Sequence, residues 1–337
     1  MLCGLSEKTQ PTSLEVGRRL SSFNLQRVFD PNASVLDVVG DVPHQCLNWP
    51  DIAQRSVTLH VRRDDLIHPL LSGNKLYKLF GYLRNWAAHK PETALCSFGG
   101  AFSNHLHALA AFGKLSGIRT LGIVRGQRPQ QLSPTLRDLD EMGMQLVFVE
   151  RHAYKQPNTS GFRQQIENAC GVTGRAYWIP EGGDGELGRL GCKQLGRHLA
   201  SLDYDVIALA CGTGTSFLGI RDGIFSASSS HQHLLGVSAL RNSFEILRKI
   251  QFEKSTPSWM LTNEFHFGGF AKSSAKLDTF MHEFESITTV PVEKVYTGKL
   301  FYALATYIER GVIPEGSRVL AVHSGGLQGK RKLGQAT

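Results

Sequence analysis

One lysine stands in surroundings that would suit covalent chemistry. Lys75 lies in the stretch Leu71–Leu79, LSGNKLYKL, directly after a glycine and an asparagine. A strand-like run, Val57–Val61, precedes the stretch, and a helix-like run, Tyr77–Ala87, follows it. A lysine on such a turn can point into a cleft, where its amine could form a Schiff base with a carbonyl group. A solvated lysine is the simpler interpretation of this stretch alone, so the other motifs must decide.

The segment Ala210–Ile220, ACGTGTSFLGI, has the composition of a phosphate-binding turn. A strand of small apolar residues leads into glycines and hydroxyls and then into a helix-like run. Backbone N–H groups and the helix N-terminus would therefore face an anion. The segment lacks the lysine of a P-loop and the G-x-G-x-x-G spacing, which favours a mononucleotide-sized phosphate over a dinucleotide. A structural turn without a ligand is the alternative. The candidate phosphate ligands are Gly212, Thr213, Gly214, Thr215 and Ser216.

A second glycine-rich turn, SFGGAFSNHLH, also leads from a strand-like run into a helix-like run. Ser103 and Asn104 occupy capping positions of that helix, and simple capping is one interpretation. The functional interpretation is that Ser103, Asn104 and His105, with their N–H groups, hold a substrate carboxylate at the helix N-terminus. The pair His105 and His107 lacks further matched ligands, so no metal site is predicted.

Two short motifs near the C-terminus complete the set. In VYTGKL, Tyr296 precedes an apolar helix-like run, where its ring could pack or stack on a flat ligand. In HSGGL, Ser324 follows the last strand-like run, at the sheet edge where α/β proteins bind ligands. Together the motifs call for a flat, phosphorylated aldehyde bound by a lysine, with an amino-acid carboxylate beside it. That ligand is pyridoxal 5′-phosphate.

The elements that position these motifs alternate between strand and helix from residue 76 onward, which predicts an α/β fold with parallel sheets. Residues 25–56 are broken by prolines and a glycine and predict loops with short strands. Residues 1–24 are expected to form an N-terminal extension. The strands are predicted at 56–63, 93–97, 119–124, 145–149, 176–179, 205–210, 234–238 and 318–322. The helices are predicted at 76–89, 106–115, 135–142, 160–170, 188–201, 241–251, 280–286 and 298–310.

Composition limits the class of protein. The 337 residues carry a formal net charge of +8 without a long basic block, which suits an anionic small ligand. No nucleic-acid-binding signature is present. The six cysteines form no C-x-x-C pair, so reduced thiols and a cytoplasmic location are expected. The N-terminal residues lack the apolar core of a signal peptide, and no run is long enough for a membrane span.

From about Val57 to Gly326 the chain resembles the family of 1-aminocyclopropane-1-carboxylate deaminase and D-cysteine desulfhydrase. The resemblance is carried, in order, by HVRRDD with SGNKLYKL, GGAFSNH, ACGTGTSFLG, VYTGK and HSGG. It implies the two-domain, tryptophan-synthase-β-like fold of type II pyridoxal-phosphate enzymes, with mostly parallel open sheets, and a homodimer. Residues 25–79 and 186–337 would form the large cofactor-binding domain, and residues 80–185 the small domain.

The resemblance also implies a role for each matched residue. Lys75 would carry the cofactor covalently, Asn104 would bind its ring hydroxyl, and Tyr296 would stack near the ring and take part in catalysis. Ser103 would bind the substrate carboxylate and act as the nucleophile of a deaminase, while residues 212–216 would hold the phosphate. Lys78 would lie near the site, and Ser324 or Thr297 would face the pyridine nitrogen. A neutral hydroxyl there favours elimination over transamination.

Two departures from the family pattern bear on the substrate. Thr297 stands where the deaminase has an acidic residue, as in the desulfhydrase. Phe270 stands at the spacing of a second active-site tyrosine of the family. The sequence therefore predicts a lyase or deaminase of a small amino acid, like the desulfhydrase, that releases a 2-oxo acid and ammonia. Cyclopropane ring opening, another pyridoxal-phosphate reaction, an NAD-dependent oxidoreductase and a non-catalytic cofactor-binding protein are the alternatives.

Overall fold

The computed structural model describes residues 22–155, 159–227, 231–250 and 258–331, so most of the expected N-terminal extension lies outside the described residues. The helices of the described chain are α1 Val35–Val39, α2 Pro50–Ala53, α3 Lys75–His89, α4 Asn104–Ser116, α5 Pro134–Glu141, α6 Ser160–Ala169, α7 Glu186–Ala200, α8 Thr215–Phe225, α9 Phe244–Ile250, α10 Ala275–Thr288 and α11 Thr297–Glu309. The strands are β1 His44–Cys46, β2 Thr58–Arg62, β3 Ala94–Gly99, β4 Thr120–Arg125, β5 Gln145–Val149, β6 Ala176–Ile179, β7 Val206–Cys211, β8 His233–Ser238, β9 Trp259–Thr262 and β10 Arg318–Val322. Short 3-10 helices include Leu25–Phe29 and Leu327–Lys330.

The strands form two sheets. The larger has six strands in the order β1-β2-β10-β7-β8-β9, and the smaller has four in the order β5-β4-β3-β6. Every pairing is parallel except that of β1 with β2. Parallel sheets need helices on both faces, and the fully buried strands β3 and β7 show this covering. The predicted α/β class with mostly parallel sheets is confirmed.

Helix α8 starts in the predicted phosphate turn and packs closely on α7. A Cβ atom on Gly219 would lie 2.5 Å from the Cβ of Cys192, and one on Gly223 would lie 2.2 Å from the carbonyl oxygen of Lys193. The glycines thus let the two helices approach to backbone contact. This packing fixes the N-terminus of α8 at the carboxyl end of β7, where the phosphate turn lies.

The predicted strands and helices from residue 76 onward are found with shifts of a few residues at their ends. The exceptions are strand β9, which was not predicted, and α10, which begins five residues before the predicted start at 280. Residues 25–56 contain α1, α2 and a 3-10 helix besides one short strand, so the prediction of loops with short strands was wrong there. The strands within residues 80–185 make up the smaller sheet, and the division into two domains stays a prediction.

Candidate active site

The loop that follows β10 contacts the turn before Lys75 and fixes its shape. Gly73 adopts a left-handed φ of +70°, and its N–H donates to the carbonyl of Asp64 at 2.8 Å. The N–H of Asn74 donates to the carbonyl of Ser324 at 3.2 Å. A Cβ atom on Gly73 would lie 2.0 Å from that same carbonyl oxygen, so only glycine allows the contact. Two motifs far apart in sequence therefore meet directly, and Lys75 becomes the first residue of α3.

A buried polar network anchors the first turn of α3 from behind. The Arg62 guanidinium donates to Asp64 at 2.9 Å and to the Tyr77 hydroxyl at 3.1 Å, and that hydroxyl donates to Asp64 at 3.0 Å. All three side chains are nearly inaccessible to solvent. Burial raises the pKa of Asp64, while the charge of Arg62 opposes the rise. Because such a network is stable only when its members are paired, it holds Tyr77 and the Lys75 turn in one orientation.

The amine of Lys75 lies in a buried, cationic environment. It donates to the Asn74 side-chain oxygen, and the Asn74 amide donates to the hydroxyl of Ser216 at 3.0 Å. Burial, followed by the charge of Lys78, lowers the pKa of Lys75 to about 7. A large fraction of this amine is therefore unprotonated at neutral pH, as a nucleophile or a base requires.

Lys78 lies one turn further along α3 and points at the phosphate turn. Its Nζ donates to the Thr213 hydroxyl at 3.2 Å, and the hydroxyls of Thr213 and Thr215 lie 3.0 Å apart. The Thr215 hydroxyl donates to Asp184 at 2.6 Å. Gly214 precedes α8 with a φ of +85°. Hydroxyls, a helix N-terminus and a buried ammonium group thus converge where a phosphate would bind.

Ser103 and Asn104 begin α4, as the capping pattern predicts. The Ser103 hydroxyl accepts the N–H of Leu106 at 3.2 Å and keeps its own proton to donate. The Asn104 side-chain oxygen accepts from the amide of Gln328 at 2.9 Å. A Cβ atom on Gly326 would lie 3.0 Å from the Asn104 amide nitrogen, so that nitrogen faces the C-terminal glycine turn. Gln328, which orients Asn104, carried no signal in the sequence.

The ring of His105 is buried and contacts Ser97. Its Nε2 lies 2.8 Å from the hydroxyl of Ser97, and that hydroxyl also donates to the carbonyl of Ile179 at 2.8 Å. The hydroxyl proton is thereby used, so Nε2 is the nitrogen that carries the imidazole proton. Burial, followed by the charges of Lys78 and Lys75, lowers the pKa of His105 to about 3. A neutral ring that is turned toward Ser97 adds no charge to a carboxylate site. The predicted carboxylate contact through the N–H group of His105 does not involve the ring and stays a prediction.

Tyr296 lies against the phosphate turn. A Cβ atom on Gly212 would lie 3.1 Å from the Tyr296 hydroxyl and 3.2 Å from its ring. The ring of Phe270 meets the ring of Tyr296 edge-on, with 6.1 Å between centroids, and is 55% exposed. Phe270 and Tyr296 are therefore neighbours, and the correspondence of Phe270 to a second active-site tyrosine stays a prediction. Burial raises the pKa of Tyr296, so its hydroxyl stays protonated at neutral pH.

A buried acid, Glu293, contacts Thr297, one of the residues predicted to face the pyridine nitrogen. No motif in the sequence pointed to Glu293. Its carboxylate accepts the N–H groups of Val295 at 2.6 Å and of Tyr296 and Thr297 at 2.8 Å. Burial raises the pKa of Glu293, and these N–H donors oppose the rise. The Thr297 hydroxyl accepts the N–H of Glu293 at 2.8 Å and is fully buried, so it is occupied within its own turn. Both predicted partners are buried, Thr297 completely and Ser324 with 8% exposure.

No family model matches the chain. A 1-aminocyclopropane-1-carboxylate deaminase from Bradyrhizobium sp. (strain ORS 278) is 24% identical over 299 residues, which cover 80% of this chain and 86% of that protein. A mitochondrial bifunctional D-cysteine desulfhydrase/1-aminocyclopropane-1-carboxylate deaminase from Arabidopsis thaliana is 25% identical over 298 residues, which cover 80% of this chain and 73% of that protein. The chain is related to these two groups of proteins.

A crystal structure of a 1-aminocyclopropane-1-carboxylate deaminase homologue superposes with a TM-score of 0.70 at 20% sequence identity. The superposition covers 91% of this chain and 95% of that chain. The fold is therefore that of the type II pyridoxal-phosphate enzymes, as the five motifs predicted. Within the described ranges, no helix is long and apolar enough to cross a membrane, and no three metal-ligating side chains cluster.

Proposed function

We propose that this protein is a pyridoxal-phosphate-dependent lyase or deaminase that acts on a small amino acid. One observation carries the proposal: the amine of Lys75, partly neutral at pH 7, is linked through Asn74 to Ser216 of the phosphate turn. A covalent anchor for an aldehyde and a cradle for its phosphate therefore lie on one hydrogen-bonded chain. Few small ligands carry both groups, and pyridoxal phosphate is the one used in amino-acid chemistry.

The residues present fit that cofactor. Gly212 lies so close to Tyr296 that a larger residue would push the ring away from the phosphate turn. Lys78 and the hydroxyls of Thr213 and Ser216 supply charge and donors for a phosphate. The amide of Asn104, oriented by Gln328, is available for a ring hydroxyl.

The bound cofactor would supply an electron sink for the bonds around the substrate's Cα atom. Lys75 would hold the cofactor through its aldehyde carbon, and its amine would move the proton at the substrate's Cα atom. Ser103 would donate a hydrogen bond to the substrate carboxylate, while the N-terminus of α4 would stabilise that charge. Tyr296 would lie along the ring, and Lys78 would keep the Lys75 amine unprotonated.

A desulfhydrase-like elimination is our first choice of reaction, because Thr297 follows Tyr296 where the deaminases carry an acid. Loss of a β-substituent such as a thiol, followed by hydrolysis with one water molecule, would give a 2-oxo acid and ammonia. Ring opening of a cyclopropane amino acid is the second candidate, supported by the deaminases named above and by the presence of Ser103. A cytoplasmic location and a homodimer are further parts of the proposal, supported by composition and by the family resemblance.

The test is the visible spectrum of the purified protein after reconstitution with pyridoxal phosphate, before and after borohydride. We expect a yellow chromophore that borohydride reduces and fixes to a peptide containing Lys75. A colourless protein that takes up no cofactor would contradict the proposal and would revive an oxidoreductase. Ammonia and sulfide release from a panel of D- and L-amino acids would then separate the two reactions, and a yellow protein without turnover would indicate a binding protein.

A further inference from the structure

Lys299 is buried near the candidate site but is absent from every role assigned above. It stands in the first turn of α11, and its side chain is 1% exposed. Its Nζ donates to the carbonyls of His266 and Gly269, each at 2.8 Å, and lies 3.4 Å from the carbonyl of Ala239. An ammonium group has three donors, and all three are directed at backbone carbonyls of two separate loops.

Those two loops follow β8 and β9 at the carboxyl edge of the larger sheet, and both reach the candidate site. The loop after β8 leads to Ile246, whose side chain would lie 2.8 Å from a Cβ atom on Gly214 of the phosphate turn. The loop after β9 carries Phe270, which packs edge-on against Tyr296. Lys299 therefore connects the segment that leads to Ile246, against the phosphate turn, with the segment that carries Phe270.

The loop after β9 needs such an anchor because its backbone is strained. Phe267 and Ala271 have φ values of +48° and +55°, a region that costs non-glycine residues energy, and Gly268 and Gly269 between them are also left-handed. Such a conformation persists only where the surroundings over-determine it. Lys299 donates two hydrogen bonds to this loop. One is accepted by His266, just before the strained stretch, and the other by Gly269, within it.

We propose that Lys299 is a positioning residue, whose charged amine holds the loops after β8 and β9 in the shape that forms the substrate side of the site. The inference deepens the proposed function and rests on it for its link to catalysis. Burial lowers the pKa of Lys299 to about 8, while the charge of Glu293 opposes the fall. The other titratable or charged side chains on or against the two loops are His266, Arg241, which contacts Gly269, Lys272, which contacts Gly268, and the ion pair of Glu264 with Arg310.

The test compares Lys299→Met with Lys294→Met, an exposed lysine of the preceding turn, by hydrogen–deuterium exchange of the full-length protein. In Lys299→Met we expect peptides covering 239–243 and 266–271 to exchange about tenfold faster or more, with β7 and β3 unchanged. The control variant should match the wild type. The proposal would be overturned if both loops of Lys299→Met exchanged at the wild-type rate, or if exchange became faster throughout the chain.

Hydrogen–deuterium exchange needs neither cofactor nor turnover. The role of Lys299 can therefore be refuted while the proposed function stands, and the proposed function can be refuted while the role of Lys299 stands. With an active enzyme, Lys299→Met should raise KM for the amino acid several-fold while kcat changes less. If Lys299→Met does not fold, the pH dependence of hydrogen–deuterium exchange in the wild-type protein tests the proposal instead. Between about pH 7 and 9, where the amine loses its proton, the protection factors of the two loops should fall more than those of α3. Parallel behaviour of the loops and α3 would overturn the proposal.

Discussion

The two sides of the candidate site are built in different ways. On the phosphate side, Lys75, Lys78, Thr213 and Ser216 lie within two motif turns and are joined by side-chain hydrogen bonds. On the aromatic side, Phe270 lies on a strained loop, and its ring is more than half exposed. The first side suits the proposed cofactor through local chemistry, whereas the second depends on the buried cation of Lys299, on another element. Cofactor class is therefore easier to read from this chain than substrate identity.

On the phosphate side, Lys75→Ala should cause the largest loss of activity. Without the amine no group is left to hold the aldehyde or to move the Cα proton, so we expect activity to fall at least about 10³-fold. Turnover of the amino acid identified by the panel measures the loss. Lys90→Ala, at the end of α3, is the matched control and should keep its activity. Retention of more than a tenth of the activity would refute the role of Lys75.

Lys78→Met tests the charge of the same side. Loss of a charge-assisted hydrogen bond of about 1.5–3 kcal/mol should weaken cofactor binding by about 10- to 100-fold. Because the charge of Lys78 lowers the pKa of Lys75, the pH midpoint for borohydride-trapped attachment should also move upward from about 7. Both quantities come from cofactor titrations at several pH values. An unchanged midpoint would mean that burial alone sets the pKa of Lys75.

Gly214→Ala tests the shape of the phosphate turn. The added Cβ would stand in left-handed backbone and 2.8 Å from Ile246, so cofactor affinity should fall about tenfold. Gly117→Ala is the control, since Gly117 is also left-handed, with a φ of +72°, but a Cβ atom added there would have no other atom within 4 Å. Both variants should lose about 1–2 kcal/mol of stability in thermal unfolding. If Gly117→Ala weakened the cofactor equally, the effect would be general destabilisation.

Phe270→Tyr probes the aromatic side and should have the smallest effect. The added hydroxyl restores the family residue at a half-exposed position, so stability and cofactor affinity should stay unchanged. We expect the ratio of kcat/KM between a cyclopropane amino acid and D-cysteine to rise by less than about tenfold. Phe29→Tyr, at an exposed position of the 3-10 helix Leu25–Phe29, serves as a variant outside the site. A change in cofactor affinity in Phe270→Tyr would show that the two sides are not independent.

The regular elements and the five motif turns were predictable because hydrophobic period and turn chemistry are local properties. Strand β1 was not specified, because three residues carry too little pattern to reveal an antiparallel pairing with β2. Gln328, Glu293 and Lys299 were missed for another reason. Gln328 and Lys299 contact partners far from them in the sequence, and no spacing records those contacts. Glu293 accepts N–H groups two to four residues ahead of it, but a single glutamate carries no pattern that marks it as a buried acid. The direction in which the His105 ring turns was also not predictable, because a capping motif does not specify it.

The position of β10 has a consequence for how the enzyme matures. This strand, the last of the described chain, lies between β2 and β7, so Thr58 pairs with Arg318 across most of the sequence. Contacts of such long sequence separation form late and slowly. On the ribosome, β2 must therefore wait until β10 has been made before it finds this neighbour. The carbonyl of Ser324, which fixes the Lys75 turn, directly follows the same strand, so the proposed cofactor site is complete only after β10 has paired.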